Sequence, residues 1–246
     1  MKPSRWQILF GISLIGLSVL VYFIQIQIFR TPRDTFFYLF QDLAFVPISV
    51  LMVTVIIDQV LRIREKRILL KKMNMVIGAF FSDVGSDLLR LLSSFDLNYT
   101  KTREMLAVTM EWEEHEFSGV VNSLRDYEHA IESRSGDLAE LKNFLILKRS
   151  FLLGLLENSN LLEHETFTDL LWAVFHLTEE LKHRKDTSQL PLSDLTHLSG
   201  DIRRAYVLLI TEWLYYMKHL KDDYPYLYSL AVRTNPFNPG ASIEVR

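Results

Sequence analysis

The sequence predicts an all-α protein in which an N-terminal two-helix transmembrane hairpin precedes a cytosolic helical bundle. Two of the three supporting observations concern residues 1–63, which contain two long apolar segments. Residues 6–29 carry no charged side chain, and residues 36–57 carry Asp42 as their one charge. The third observation is that the rest of the chain shows helical periodicity and no convincing strand-type alternation.

Each apolar segment is long enough to span a bilayer. About 20 helical residues cross roughly 30 Å of hydrocarbon at about 1.5 Å per residue. The first segment is longer than the roughly 7–15 residues of a signal-peptide core, and its end at Ile28-Phe29-Arg30 lacks the small residues of a cleavage site. We therefore expect a retained transmembrane helix at about residues 6–29, a second at about 36–61, and a hairpin domain over residues 1–63.

Basic residues decide the predicted topology of this hairpin. Because residues 30–35 form a short connection, the two helices must run antiparallel and leave both ends of the hairpin on one side. The connection carries Arg30 and Arg33, whereas the basic residues that flank the other ends are Lys2, Arg5, Arg62, Arg64, Lys66, Arg67, Lys71 and Lys72. The positive-inside rule then predicts a multi-pass protein of the cell membrane with both termini in the cytosol.

The charge of the chain is unevenly distributed. The net charge is −3, yet beyond Lys72 there are 17 Lys and Arg residues against 26 Asp and Glu residues. This acidic balance argues against nucleic acid as a partner. We define the basic collar as Arg62, Arg64, Lys66, Arg67, Lys71 and Lys72. The collar is placed to contact anionic headgroups of membrane lipids, although an ordinary stop-transfer flank accounts for the same pattern.

The second membrane helix has no obvious end where it leaves the bilayer. No proline occurs from residue 64 to residue 95, and apolar residues recur there in an eleven-residue rhythm: Met73, Ile77, Phe80, Val84, Leu88, Leu91 and Phe95. This rhythm of about 3.67 residues per turn suits an almost straight helix. We expect a stalk helix over about residues 64–95 that is continuous with the second membrane helix.

The cytosolic domain is expected to cover residues 64–223. Capping residues and apolar periodicity predict helices over 100–116, 118–131, 137–157, 165–185 and about 193–222, with a turn over 133–136. Ser193 or Asp194 is the expected cap of the last long helix. The aromatic residues Trp172, Phe175, Trp213, Tyr215 and Tyr216 fall in apolar helical patterns and are expected in the core. Residues 224–246 are expected to form an irregular tail that docks its aromatic side chains.

Asp42 is the foremost candidate functional residue, because a carboxylate in hydrocarbon costs at least about 2.5 kcal/mol on insertion scales. At about 100° per residue, Ser49 shares its helix face, and Pro47 frees a backbone carbonyl one turn below it. In the first helix Gly11, Ser18 and Gln25 form a stripe of small or polar residues suited to close helix packing. A hydrogen bond between Gln25 and Asp42 is geometrically plausible.

Two interpretations of these polar residues remain open. In the first, Asp42 and Gln41 bond to Gln25 within the hairpin or between subunits and serve assembly. In the second, Asp42 from several subunits forms a ring at the outer mouth of a cation-permeable pore lined by the second helix. Both interpretations predict a homo-oligomer, because two helices cannot enclose a channel and a lone hairpin would expose polar groups to lipid.

Enzyme chemistry finds little support in the sequence. No P-loop, dinucleotide-binding glycine motif or nucleophile elbow occurs, so we expect no catalytic residue and no cofactor. A di-iron bundle needs two Glu-x-x-His pairs, and the chain has one, Glu180 and His183, with Asp126 and His129 as an imperfect second. We therefore expect no metal site, and a membrane-tethered metalloenzyme is the third-ranked hypothesis.

The sequence thus favours a non-enzymatic, homo-oligomeric membrane protein whose cytosolic bundle is an assembly, scaffold or sensing module. A soluble cytosolic partner is compatible with this function, although no motif identifies one. The alternative is the cation-permeable channel with Asp42 near its outer mouth.

Overall fold

The structure is a computed structural model that describes residues 5–30, 32–126, 130–158, 161 and 164–244. These residues form nine α-helices and one π-helical turn, and no β-strand is found among them. The helices are α1 Arg5–Phe29, α2 Pro32–Phe80, α3 Ser86–Ser93, α4 Tyr99–Met105, α5 Glu114–Asp126, α6 Leu138–Leu156, α7 Glu165–His183, α8 Leu192–Asp223 and α9 Pro225–Arg233. The predicted all-α class is confirmed.

The chain divides into two compact units, an N-terminal unit Met1–Lys66 and a C-terminal unit Arg67–Arg246. In the N-terminal unit, α1 ends where Arg30 adopts a positive φ of 51° and donates its N–H to the carbonyl of Ile26 at 3.0 Å. Helix α2 starts at Pro32, whose fixed φ suits the first turn of a helix. The connection is therefore shorter than the predicted residues 30–35, and Thr31 within it lies outside the described residues.

The apolar side chains of the N-terminal unit lie on its surface. From Phe36 to Ile63 every large apolar side chain is between 38% and 71% exposed. By length and composition one described helix could cross a membrane, namely Arg33–Ser93 counted through the π turn, with a mean hydropathy of 2.1 in its most apolar window. The apolar stretch described in α1 is shorter, Ile12–Ile28.

The predicted stalk helix over residues 64–95 is helical to Ser93 but is not one regular α-helix. Residues Phe81–Gly85 form a π turn, in which Ser86 donates both its N–H and its hydroxyl to the carbonyl of Phe81. The extra residue of a π turn allows the adjacent Phe80 and Phe81 both to be buried. Gly85 is required here, because a Cβ at this position would lie 2.5 Å from the Phe81 ring. The predicted eleven-residue pattern of apolar residues is confirmed, since six of its seven residues are buried and Leu91 is partly buried.

Helix α8 lies at the centre of the C-terminal unit, where α7, α5, α9, α3 and the π turn pack against it. Helix α6 packs in turn on α7. Aromatic contacts join distant segments: the Phe81 ring stacks on Tyr216 at 4.9 Å, and Phe80 meets Phe167 edge-on at 5.3 Å. The predicted helical bundle is thus confirmed, with its core on the inner faces of these helices.

Several predicted details of the bundle helices are wrong. The expected helix over residues 118–131 begins earlier, at Glu114, and ends before Ile131, which forms an isolated bridge with Asp96. The expected helix over residues 100–116 is divided, because α4 ends at Met105 and α5 begins at Glu114. Between α4 and α5, side chains rather than helical backbone N–H groups donate hydrogen bonds to the backbone carbonyls. The carbonyls of Leu106, Thr109 and Trp112 accept hydrogen bonds from Asn235, Tyr228 and Lys221, respectively. The long helix α8 begins after Pro191 as predicted. The expected cap, Ser193 or Asp194, is wrong, because no side chain caps this helix and Asp194 pairs with Arg184.

The chain after Tyr224 is more ordered than predicted. Residues Pro225–Arg233 form α9, with proline at the first helical position, and only the residues after it are irregular. The predicted docking of aromatic side chains is confirmed, since Tyr228 and Phe237 are buried. The prediction of a core position is wrong for Trp172 and Tyr215, because these side chains are 56% and 41% exposed.

Candidate functional site

Asp42 lies on the exposed surface of α2 in the N-terminal unit. The Tyr22 hydroxyl of α1 donates to its Oδ2 at 3.4 Å, so the carboxylate contacts the neighbouring helix. No hydrogen bond joins Asp42 to the expected partner Gln25 among the described residues, because Tyr22, one helical turn earlier, takes that place. Ser49 is half-buried, as is Gln25.

The other polar candidates of the N-terminal unit are exposed. Gln41, Pro47 and Ser18 all face the surface, and α2 continues through Pro47 as one helix. Gly11 lies in α1, and its exposure falls outside what the structure describes. All six side chains of the basic collar are exposed, and one of them, Arg62, pairs with Asp58 at 2.9 Å. The collar therefore presents its cationic groups to the surroundings.

A cluster of histidines and carboxylates lies between α7 and α8 in the C-terminal unit. His176 and Glu180 are four residues apart on α7, and His197 and Asp201 are four residues apart on α8. Asp201 Oδ2 lies 3.4 Å from His176 Nε2 and 3.3 Å from His197 Nε2. Glu180 completes the cluster, with Oε1 at 4.0 Å from His176 Nε2 and Oε2 at 3.8 Å from His197 Nε2.

Arg184 fixes the position of Glu180. Its Nη1 donates to Glu180 Oε2 at 2.7 Å, while Nη2 and Nε donate to Asp194 at 2.6 and 2.9 Å. The hydrogen bonds from the Arg184 guanidinium hold the pKa of both carboxyls below their ordinary values, and the same partners raise the pKa of Arg184. Both carboxylates are therefore ionised at neutral pH.

A further carboxyl group, Glu212 of α8, lies deep in the bundle. It is 1% exposed, and its Oε1 has no hydrogen-bond partner within the described part of the chain. Burial raises the pKa of Glu212 to about 7, although a hydrogen bond with the Thr166 side chain lowers it in part. Glu212 is therefore close to half-protonated at neutral pH.

Comparison with known proteins places the chain in a family. A family model described as "MJ1433, N-terminal helical domain" matches residues 2–61, and one described as "Uncharacterized protein MJ1433, C-terminal helical domain" matches residues 69–233. The chain belongs to the MJ1433 family. Uncharacterized protein MJ1433 of Methanocaldococcus jannaschii is 47% identical over 238 residues, which cover 97% of this chain and 96% of that protein. No solved structure matches.

The two MJ1433 family models leave out residues 62–68, which hold most of the basic collar, and the boundary between the two compact units falls in the same interval. The histidine–carboxylate cluster lies within the C-terminal domain of the family. The polar candidate residues of α1 and α2 lie within the N-terminal domain of the family.

Sequence reasoning missed the cluster because it considered Glu180 with His183. In the structure His183 Nδ1 lies 2.7 Å from the carbonyl of Glu179 in its own helix, outside the cluster. His129 and the side chain of Asp126, the imperfect second pair, lie outside the described residues. The signal that could have found the cluster is a His-x-x-x-carboxylate pair on each arm of a helical hairpin.

Proposed function

We propose that the chain is a multi-pass membrane protein, anchored by α1 and the first part of α2, whose C-terminal helical unit serves as an assembly or sensing module in the cytosol. The observation that carries this proposal is the exposure of the apolar side chains in the N-terminal unit. In soluble monomers the largest apolar patch is roughly 300–600 Å². A surface that is largely apolar from Phe36 to Ile57, with Asp42 as its one charged residue, suits a lipid environment better than water.

The low burial of these helices supports an anchor over a soluble core helix. The most apolar window of the long helix has none of its residues buried, whereas a core helix of equal hydropathy would be covered by its own protein. The exposed basic collar, at residues 62–72, follows the apolar segment 36–57, and the anionic headgroups of a cytoplasmic leaflet would attract it there.

Extraction of cell membranes at alkaline pH tests the anchor. The full chain should remain with the membrane fraction after carbonate washing. The double variant Leu51→Arg, Ile57→Arg should move substantially into the supernatant, because each arginine costs about 2.5–3.5 kcal/mol at a helix centre in the membrane. Leu147→Arg is the matched control, since Leu147 is 77% exposed on α6 of the C-terminal unit and should tolerate the charge. A wild-type chain that washes off would contradict the anchor.

The absence of cysteine in the chain allows the topology to be tested with single introduced thiols. In intact cells a membrane-impermeant maleimide should label Asp34→Cys, in the first turn of α2. It should label Ser242→Cys, near the C-terminus, only after the cells are permeabilised. The opposite pattern would reverse the orientation, and labelling of both sites in intact cells would exclude the hairpin topology.

We further propose that the N-terminal unit associates with copies of itself through the polar residues of α1 and α2. The Tyr22–Asp42 hydrogen bond disfavours a pore, because it engages within one chain the carboxylate that a selectivity ring would use. Ser18 and Gln41 are exposed and therefore available for contacts between chains. The mass of the protein in a mild detergent should correspond to an oligomer that weakens in Asp42→Leu and Gln25→Leu. A strictly monomeric mass would contradict the proposal. A planar-bilayer current whose ion selectivity changed in Asp42→Asn would support the channel instead.

A further inference from the structure

We propose that His176, His197 and Asp201 bind a divalent transition-metal ion, with Glu180 as the fourth protein ligand. The inference concerns the C-terminal unit alone and does not rest on the membrane anchor. Nitrogen and oxygen ligands of this kind are those of zinc sites in proteins.

The two distances from Asp201 to the histidines suit one ion of tetrahedral geometry. Ligand atoms about 2.0–2.1 Å from a tetrahedral Zn²⁺ lie about 3.3–3.4 Å from each other. Asp201 Oδ2 is 3.4 Å from His176 Nε2 and 3.3 Å from His197 Nε2. One atom from each of the three side chains lies within 4.8 Å of the other two. The Glu180 oxygens lie farther from the histidine nitrogens, at 4.0 and 3.8 Å, so Glu180 would move inward to complete the site.

The state of Asp201 points to a ligand. This carboxylate is 4% exposed, yet its buried Oδ2 accepts no hydrogen bond within the described chain. The two imidazole nitrogens lie beyond the usual N–H···O range of about 2.7–3.2 Å, so they do not satisfy it as donors. Arg204 approaches the other oxygen, Oδ1, at 3.5 Å, which leaves Oδ2 directed at the histidines. A metal ion among these atoms would compensate the buried charge.

The helical hairpin pre-forms the site. Residues four apart lie on one face of a helix, so each helix supplies one histidine and one carboxylate. His176 and Asp201 lie seven and nine residues from the facing ends of α7 and α8, and Glu180 and His197 lie three and five residues from them. Antiparallel packing therefore places each histidine near the carboxylate of the other helix.

The chemistry of the ligands defines the class of ion. Imidazole suits Zn²⁺, Fe²⁺, Co²⁺ or Ni²⁺, whereas Mg²⁺ and Ca²⁺ prefer sites built wholly of oxygen. The histidine side chains are 45% and 54% exposed, so an ion can enter from solvent and a water molecule can reach it. Arg184 acts as a positioning residue, because its cationic guanidinium donates a hydrogen bond to Glu180 and cannot itself be a metal ligand.

Metal titration of the full chain in detergent, after treatment with a chelator, tests the proposal. Co²⁺ should produce the intense visible absorption of a tetrahedral site, saturate at one ion per chain and be displaced by Zn²⁺ but not by excess Mg²⁺. His176→Gln and His197→Gln should each weaken Co²⁺ binding at least about tenfold, since even loss of an outer-shell partner costs about 10–100-fold in metal affinity.

His183→Gln is the matched control, because this exposed histidine lies on the same helix and outside the cluster. It should bind Co²⁺ as the wild type does. Asp201→Asn removes the buried charge. If Asp201→Asn fails to fold, His176→Gln and His197→Gln still test the site, because both histidines are exposed. Binding below one ion per chain, or equal binding by the wild type and by the double variant His176→Gln, His197→Gln, would overturn the proposal.

Discussion

The two units of the chain contain similar apolar residues but expose them very differently. Leu51 in the N-terminal unit is 65% exposed, whereas Leu177 and Phe80 in the C-terminal unit are fully buried. The two units also place carboxylates differently. Asp42 lies exposed on an apolar surface, whereas Asp201 and Glu212 are buried within the bundle. The difference is what we expect if, as proposed above, lipid surrounds the first unit and water surrounds the second.

The largest expected effect is a difference between the units in how much stability is lost when an apolar side chain is truncated. Phe80→Ala should lower the free energy of unfolding by about 3–5 kcal/mol, because it leaves a cavity among packed aromatic rings. Leu51→Ala should change it by less than about 0.5 kcal/mol, because its surroundings can refill the space. Denaturant unfolding of the full chain in detergent, followed by tryptophan fluorescence, measures both. Equal losses would remove the contrast.

An intermediate effect is expected from the buried carboxyl of Glu212. Its pKa of about 7 in the folded chain exceeds its ordinary value of 4.5. The folded state therefore holds the proton more tightly, and stability falls as the pH rises from about 4.5 to about 7. The full cost above that window is about 3 kcal/mol, since one pKa unit corresponds to about 1.4 kcal/mol.

Glu212→Gln removes this charge at nearly constant volume. The variant should be more stable than the wild type at pH 8, by about 1–3 kcal/mol, and the advantage should vanish near pH 4.5. Melting temperatures of both proteins across this pH range measure the effect. A difference that did not depend on pH would show that Glu212 is not the group responsible.

The smallest effect concerns the Tyr22–Asp42 hydrogen bond in the N-terminal unit. Tyr22→Phe should destabilise the hairpin by about 0.6 kcal/mol, the average measured for such bonds between membrane helices. Titration of the full chain with SDS in mixed micelles measures the change. Tyr38→Phe is the matched control on α2, because its side chain is 56% exposed and no described hydrogen bond joins it to Asp42. An effect of equal size in the control would show that the bond contributes nothing.

The fold was largely predictable because each helix carries a local signal. The Asp137 cap is an example, since its Oδ1 accepts from the N–H groups of Ala139 and Glu140 as the sequence suggests. The break after α4 was not predictable, because it depends on Tyr228, Lys221 and Asn235, which are distant in sequence. The same holds for α9, whose aromatic residues resemble those of an irregular tail until the core that buries Tyr228 is known.

The histidine–carboxylate cluster was less accessible to sequence reasoning than the helices. Asp42 was conspicuous because it interrupts an apolar run, whereas His197 and Asp201 lie among other polar residues at the start of α8. Their significance depends on the register of α8 against α7, which local periodicity does not fix. Glu212 was hidden for a related reason, because only the packed bundle reveals that its face is fully covered.

The π turn at Phe81–Gly85 determines which side chains of the preceding helical segment face the core. Deleting one residue from this turn would restore a regular α-helix, and the segment 67–80 would turn by about 100° relative to α3. Met73 and Ile77 would then leave the core and polar neighbours would enter it. A change of one residue would thus act as strongly as several core substitutions, so chain length in this short interval should be under tighter constraint than the chemistry of most residues in it.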